Sequence, residues 1–142
     1  MYRNILLPVD LNEESSWKKA LPTAVDIAKA SGAALHVITV VPDFGMSVVK
    51  GFFPDDFKDK TVDDAGERLA AFCAEHVPKG LDVTHGAEYG GVYEEVLRVA
   101  DERGVDLIVL ASHRPELSDY LLGPNAARVV RHAGCSVLVV RE

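Results

Sequence analysis

Two stretches of the chain gather residue types that could hold a polar ligand. The first is Pro8-Val9-Asp10, which closes the apolar run Ile5-Leu6-Leu7-Pro8-Val9. The second is Leu110-Ala111-Ser112-His113-Arg114-Pro115, followed by Leu121-Leu122-Gly123-Pro124-Asn125. A glycine opening a helix lets free backbone N–H groups approach an anion, and the helix dipole favours negative charge there. Ser112, His113 and Arg114 add donors beside it, so this stretch reads as a candidate phosphate cradle. Asp10 admits two readings, a ligand contact or an acid that caps the turn after a strand. His113 is of the residue type suited to acid–base chemistry at neutral pH, but no nucleophile or carboxylate partner is identifiable beside it, which favours a hydrogen-bonding loop histidine. Histidines 36, 76, 85, 113 and 132 form no i,i+4 pair and no Cys/His cluster, so no metal site can be read from them. Cys73 on a helical apolar stripe and Cys135 before a strand read as inert thiols.

The elements that must position these residues alternate. Runs at 5–9, 37–41, 105–110 and 136–140 are rich in β-branched and apolar residues without polar alternation, the pattern of parallel strands buried on both faces. Leu81-Asp82-Val83-Thr84-His85 alternates instead and reads as an edge strand. Trp17, Ala20, Leu21, Ala24 and Ala28 recur at helical spacing until Ser31-Gly32, with Pro22 predicted to kink that helix or delay its regular part. Thr61 with Asp64 looks like a capping box opening a second helix through Leu69, Phe72, Cys73 and Val77. A third helix spans about Val92 to Arg103 before Gly104, and a fourth runs from near Pro124 to Gly134. The order β-α-β-α-β-α-β-α-β with right-handed crossovers predicts an α/β fold. Residues 1–142 form one domain, an open, doubly wound, mostly parallel five-stranded sheet with helices on both faces. In such a sheet, ligands bind beyond the strand carboxyl ends where strand order reverses.

Between Pro42 and Lys60 no clear element is visible, which is long for a connection in a compact domain. It holds Phe44, Phe52, Phe53 and Phe57, four of the five phenylalanines, plus Met46. Either these pack back on the domain, or they form a lid or subunit contact. The acidic residues from Asp55 to Asp64, interrupted by Lys58 and Lys60, read as a solvated surface.

A net charge of −7 without a Lys/Arg block argues against nucleic acid. No apolar run reaches membrane-spanning length, and two cysteines make no disulfide framework. Without a signal-peptide pattern the chain is expected in the cytoplasm. A P-loop is excluded because Gly-x4-Gly-Lys-Ser/Thr is absent. A phosphoreceiver domain fails because Asp10 lacks an acidic neighbour, strand three ends His85-Gly86, and no lysine follows the last strand.

Asn4 to Asp10, Ala111 to Pro115, Leu122-Gly123 with the following helix, and Arg131 to Arg141 together resemble the universal stress protein family over essentially the whole chain. Ala111 to Pro115 looks like the branch containing universal stress protein F. The resemblance implies a Rossmann-like, adenine nucleotide alpha hydrolase-like fold, commonly dimeric. In many members it also implies ATP or another adenine nucleotide at the strand ends, with Mg a candidate companion. By family match Pro8, Val9 and Asp10 would flank adenine or ribose and Val40 would line the base pocket. Leu110, Ala111, Ser112, His113, Arg114, Gly123, Pro124 and Asn125 would surround the phosphates. ATP-binding members carry Gly-x2-Gly-x9-Gly-Ser/Thr. Here Ala111 and Arg114 stand for the first two glycines, the next spacing is one residue short, and Pro124 replaces the Ser/Thr. Arg114 could fill the phosphate space or bind phosphate. Pro124 removes a hydroxyl and an N–H while suiting a helix's first position.

Three functions follow: a nucleotide-binding regulatory module, a nucleotide-free protein-interaction module, or a slow ATPase with Asp10 as its only acidic candidate. The first is the reading adopted, with a non-enzymatic role, an unidentified protein partner and no membrane insertion. The last strand almost ends the chain, and an apolar edge invites pairing, so a homodimer through Val137 to Arg141 is expected.

Overall fold

The computed structural model describes residues 1–42, 57–112 and 124–141. Its strands are β1 (Asn4–Pro8), β2 (Ala34–Pro42), β3 (Val83–Gly90), β4 (Leu107–Ser112) and β5 (Ser136–Arg141). Its helices are α1 (Ala20–Ser31), α2 (Phe57–His76), α3 (Val92–Glu102) and α4 (Pro124–His132), with a 3-10 turn at Glu14–Ser16. The strands form one sheet in the order β3-β2-β1-β4-β5, and all four ladders are parallel. No helix among the described residues is long and apolar enough to cross a membrane.

Alternate side chains explain why the strand runs are apolar throughout. Ile5, Leu7, Leu35, Val37, Leu107 and Val109 pack under α1 and α2, where Leu21, Val25, Leu69 and Phe72 meet them. Leu6, Ile38, Ile108 and Leu110 face the other way, onto Val96, Val99, Ala126 and Val129 of α3 and α4. Both faces are covered, so period-two polarity has no place in the inner strands. β3 lies at an edge, as its sequence predicts, but it starts at Val83 and runs on to Gly90 instead of spanning Leu81 to His85.

Local signals set most boundaries. α1 starts at Ala20, placing Pro22 in its first turn, where its missing N–H interrupts the i→i−4 bonds that run from Leu21 to Trp17 and from Thr23 to Lys19. Gly32 ends α1 at φ 66°, a left-handed cap available to glycine at little cost. One boundary needs correction. Thr61 does not open α2, which is already helical from Phe57; its hydroxyl donates to the Phe57 carbonyl at 2.7 Å. A threonine inside a helix can bond the carbonyl four residues back, so the Thr-x-x-Asp pattern here is internal. Phe44, Met46, Phe52 and Phe53 of the aromatic loop lie outside the described residues, while Phe57 is half-buried at the start of α2.

Candidate functional site

Strand order reverses between β1 and β4. These two strands pair at Ile5–Leu107 and Leu6–Ile108, whereas β1 follows β2 as far as Pro8–Ile38. Beyond Leu6 the ends of β1 and β4 part, and a crevice of about 620 Å3 opens there. Its volume lies inside the ~300–1,000 Å3 range of small-molecule and cofactor sites. Val9, Val40, Val96, Leu110 and Val129 give it apolar walls, and Asp10, Asn12, Asp64, Arg68 and Asn125 give it polar groups.

Seven of the predicted residues meet in this crevice: Pro8, Val9, Asp10, Val40, Leu110, Ala111 and Asn125. Two others are described but do not line it. Ser112 is buried at the end of β4, in register with Arg141 of β5. Pro124 is the exposed first residue of α4. The proline leaves the amides of Asn125 and Ala126, which as first-turn groups have no intrahelical acceptor. His113, Arg114 and Gly123 lie outside the described residues.

Asp10 fulfils its turn role at the crevice itself. Its Oδ1 accepts the Asn12 N–H at 2.9 Å, and its own N–H donates to Ser16 Oγ at 2.8 Å. The Ser16 hydroxyl lies 3.0 Å from the Asp10 carbonyl and 2.8 Å from that of Glu13. This knot fixes the loop after β1 and leaves Asp10 Oδ2 without a hydrogen-bond partner among the described residues. Both sequence readings of Asp10 are thus compatible: one carboxylate oxygen holds the turn, and the residue lines the cavity.

The wall supplied by α2 escaped the sequence reading. Thr61, Asp64, Ala65 and Arg68 line the crevice, and their spacing of three, four and seven places them on one helical stripe. Arg68 Nη2 donates to Asn12 Oδ1 at 3.0 Å, tying α2 to the β1 loop. Leu69, Phe72 and Cys73 anchor the same helix in the core. The signal was present in the sequence, but a polar stripe adjoining an apolar one looks like ordinary surface until the neighbouring loop is placed.

Among the described residues no group of three or more His, Cys, Asp or Glu could hold a metal ion. Burial pushes the Cys73 and Cys135 thiols up, with Asp106 adding to the effect at Cys135, so neither is activated as a nucleophile.

A doubly wound parallel sheet with a ligand-sized crevice at its switch point defines a Rossmann-like α/β protein. The description universal stress protein family matches residues 1–141, and the chain belongs to that family. Universal stress protein G of Escherichia coli O157:H7 is 34% identical over 143 residues, covering 99% of this chain and 100% of the relative. The solved structure of MJ0577, a universal stress protein of Methanocaldococcus jannaschii, superposes with a TM-score of 0.82 at 26% identity, covering 100% of this chain and 97% of that one. A universal stress protein in complex with cAMP shares the fold at a TM-score of 0.63 and 24% identity, covering 99% of this chain and 97% of that chain.

Proposed function

We propose that this universal stress protein is a regulatory module that binds an adenine nucleotide in the crevice between the ends of β1, β2 and β4. The observation that carries the proposal is the crevice itself, apolar in its walls and polar at Asp10, Asn12, Arg68 and Asn125. In this reading Val9 and Val40 take the faces of the base, where apolar contact replaces water. Asp10 accepts from a ribose hydroxyl through Oδ2, because Oδ1 is already engaged by Asn12. The first-turn amides of Asn125 and Ala126 meet phosphate oxygens, aided by the α4 dipole. Ala111 lines the approach to that end, and His113, Arg114 and Gly123 belong to the same proposal by sequence.

Magnesium fits only as a companion of the phosphates. Such ions are commonly bound by one or two carboxylates together with substrate phosphates, and Asp10 and Asp64 are the carboxylates that line the crevice. The proposed role is non-enzymatic and cytoplasmic, nucleotide occupancy altering contact with a protein partner in the stress response. The assembly is a homodimer through β5. That strand bonds β4 on one side only, and its residues Val137 to Val140 are merely half-buried in one chain.

Titration calorimetry with ATP and AMP, on protein stripped of ligand, tests the reading. Micromolar heats are expected, and Val40→Trp, filling the base end, should weaken both nucleotides by roughly tenfold or more, about 1.4 kcal/mol per factor of ten. Tighter AMP than ATP would mean that Arg114 or Pro124 has closed the triphosphate end. Absence of heat from a folded protein would overturn nucleotide binding and favour the nucleotide-free interaction module.

A further inference from the structure

Away from the crevice, a cavity of about 330 Å3 opens between α1 and the end of α2. That volume lies at the lower edge of the ~300–1,000 Å3 range of ligand sites, room for a small planar molecule. Trp17, Leu21 and Val25 line it with apolar surface, and its charged or titratable groups are Lys18, Asp26, Lys29 and His76. None of these residues lines the crevice described above.

Trp17, Leu21 and Val25 recur every fourth residue, and the Leu21 N–H donates to the Trp17 carbonyl at 2.9 Å, so the three form one stripe along α1 and its approach. Leu21 and Val25 are buried in the core, whereas Trp17 is only half-buried. Its ring is held by its neighbours: Phe72 meets it edge-on at 5.0 Å and 77°, and His76 lies 4.6 Å from it. The floor of the cavity is therefore already built and fixed. An indole nitrogen only donates, and the Trp17 Nε1–H makes no hydrogen bond among the described residues. No fully buried side-chain polar atom there lacks a partner, so this N–H is open to an acceptor from outside the chain.

The charges divide the cavity into two unlike ends. Lys18 and Lys29 are separated by close to three helical turns, so they bracket the stripe rather than meet. Asp26 stands one turn before Lys29 and offsets it. Lys18 has no such partner in the cavity. Glu14, one turn before it, makes no ion pair with it and does not line the cavity. Glu75, 3.8 Å from His76 Nε2, does not line it either. The Trp17 end thus joins an ammonium group and an indole N–H to a flat apolar surface, with no carboxylate lining that end.

We infer that this cavity is a second binding site, taking a small planar aromatic carboxylate whose ring lies against Trp17, Leu21 and Val25 and whose carboxylate meets the Lys18 ammonium and the Trp17 N–H. Removing the ring and the apolar floor from water supplies the attraction, and the charge-assisted bond to Lys18 sets the orientation and rejects an amine of the same shape. The site stands whether or not a nucleotide occupies the crevice.

Trp17 is the only tryptophan in the chain, so its indole 1H–15N signal reports this site alone. The full chain is titrated with 2-naphthoate near pH 7 at constant ionic strength. The expected result is a saturable shift of that signal, with the amides of Leu21 and Val25 moving in step and those of Val40 and Asn125 unmoved. Lys18→Gln should weaken the saturation roughly fivefold or more, and Lys29→Gln should change it by less than about twofold. Both lysines are exposed, so the variants should fold, and their amide spectra check that directly. No saturation at millimolar 2-naphthoate would overturn the site. So would a saturation that Lys18→Gln leaves unchanged, one that Lys29→Gln weakens equally, or one that moves the crevice amides.

Discussion

Acidification should weaken this fold through one residue, His36. Burial, with Arg103 adding to it, lowers its pKa from the ordinary 6.5 to about 4, while the Thr84 backbone works the other way. The unfolded chain therefore binds a proton on this residue before the folded chain does. Above pH 6.5 the two states are equally unprotonated at His36. Stability is lost as pH falls from 6.5 towards 4, and the loss levels off below that. At pH 5 the unfolded residue is almost fully protonated and the folded one about a tenth, a difference worth about 2 kcal/mol. Across the whole interval the loss is about 3 kcal/mol, a large share of a typical domain's ~5–15 kcal/mol. Other groups titrate in the same range, so the informative quantity is a difference between two chains. His36→Asn retains an acceptor for Thr84 and removes the titrating group. Urea unfolding at several pH values between 7.5 and 5 should show the wild type losing about 2 kcal/mol more than the variant. Parallel curves would refute the reasoning, because a neutral, desolvated His36 requires them to converge.

Three further outcomes follow from particular contacts. Ser16→Ala removes the acceptor of the Asp10 N–H; unfolding should show a loss of about 1 kcal/mol, and calorimetry a several-fold weaker nucleotide as the β1 loop loosens. Leu69 is wholly buried where α2 meets the sheet, so Leu69→Ala should cost about 2–5 kcal/mol in denaturant unfolding. Val139 belongs to neither core cluster, unlike Val137, Leu138 and Val140. Val139→Lys should leave the monomer folded but place like charges across the proposed β5 contact. Sedimentation should then shift from dimer to monomer, and a wild type that sediments as a monomer at micromolar concentration would contradict the dimer.

The architecture was legible because the inner strands are buried on both faces and their runs lack polar alternation. Gly32 and Gly104 also mark two helix ends with left-handed backbone, at φ 66° and 62°. The start of α2 was misread, because Thr61 and Asp64 satisfy a capping pattern that this helix contains within its second turn. At the crevice, Pro8, Val9, Asp10, Leu110, Ala111 and Asn125 could be read by their place at strand ends and at the head of α4, and Val40 only through the family resemblance. Asn12 and Arg68 could not. They meet across 56 positions of sequence, and nothing in a local pattern tells a solvated arginine from one that reaches a loop on another strand. His36 was visible only as one histidine among five. Its meaning depends on Thr84 standing opposite it and on Arg103 arriving from the end of α3, which only the folded chain brings together.

Amide 1H–15N shift mapping with AMP and ATP tests nucleotide binding at the switch point most directly, because it reports place as well as affinity. The account predicts saturable perturbations at Val9, Asp10, Val40, Ala111, Asn125 and Ala126, with little change at Leu35, Thr84 and Val105 at the far end of the sheet. Saturable perturbations centred at that far end, or none anywhere at millimolar nucleotide, would contradict it.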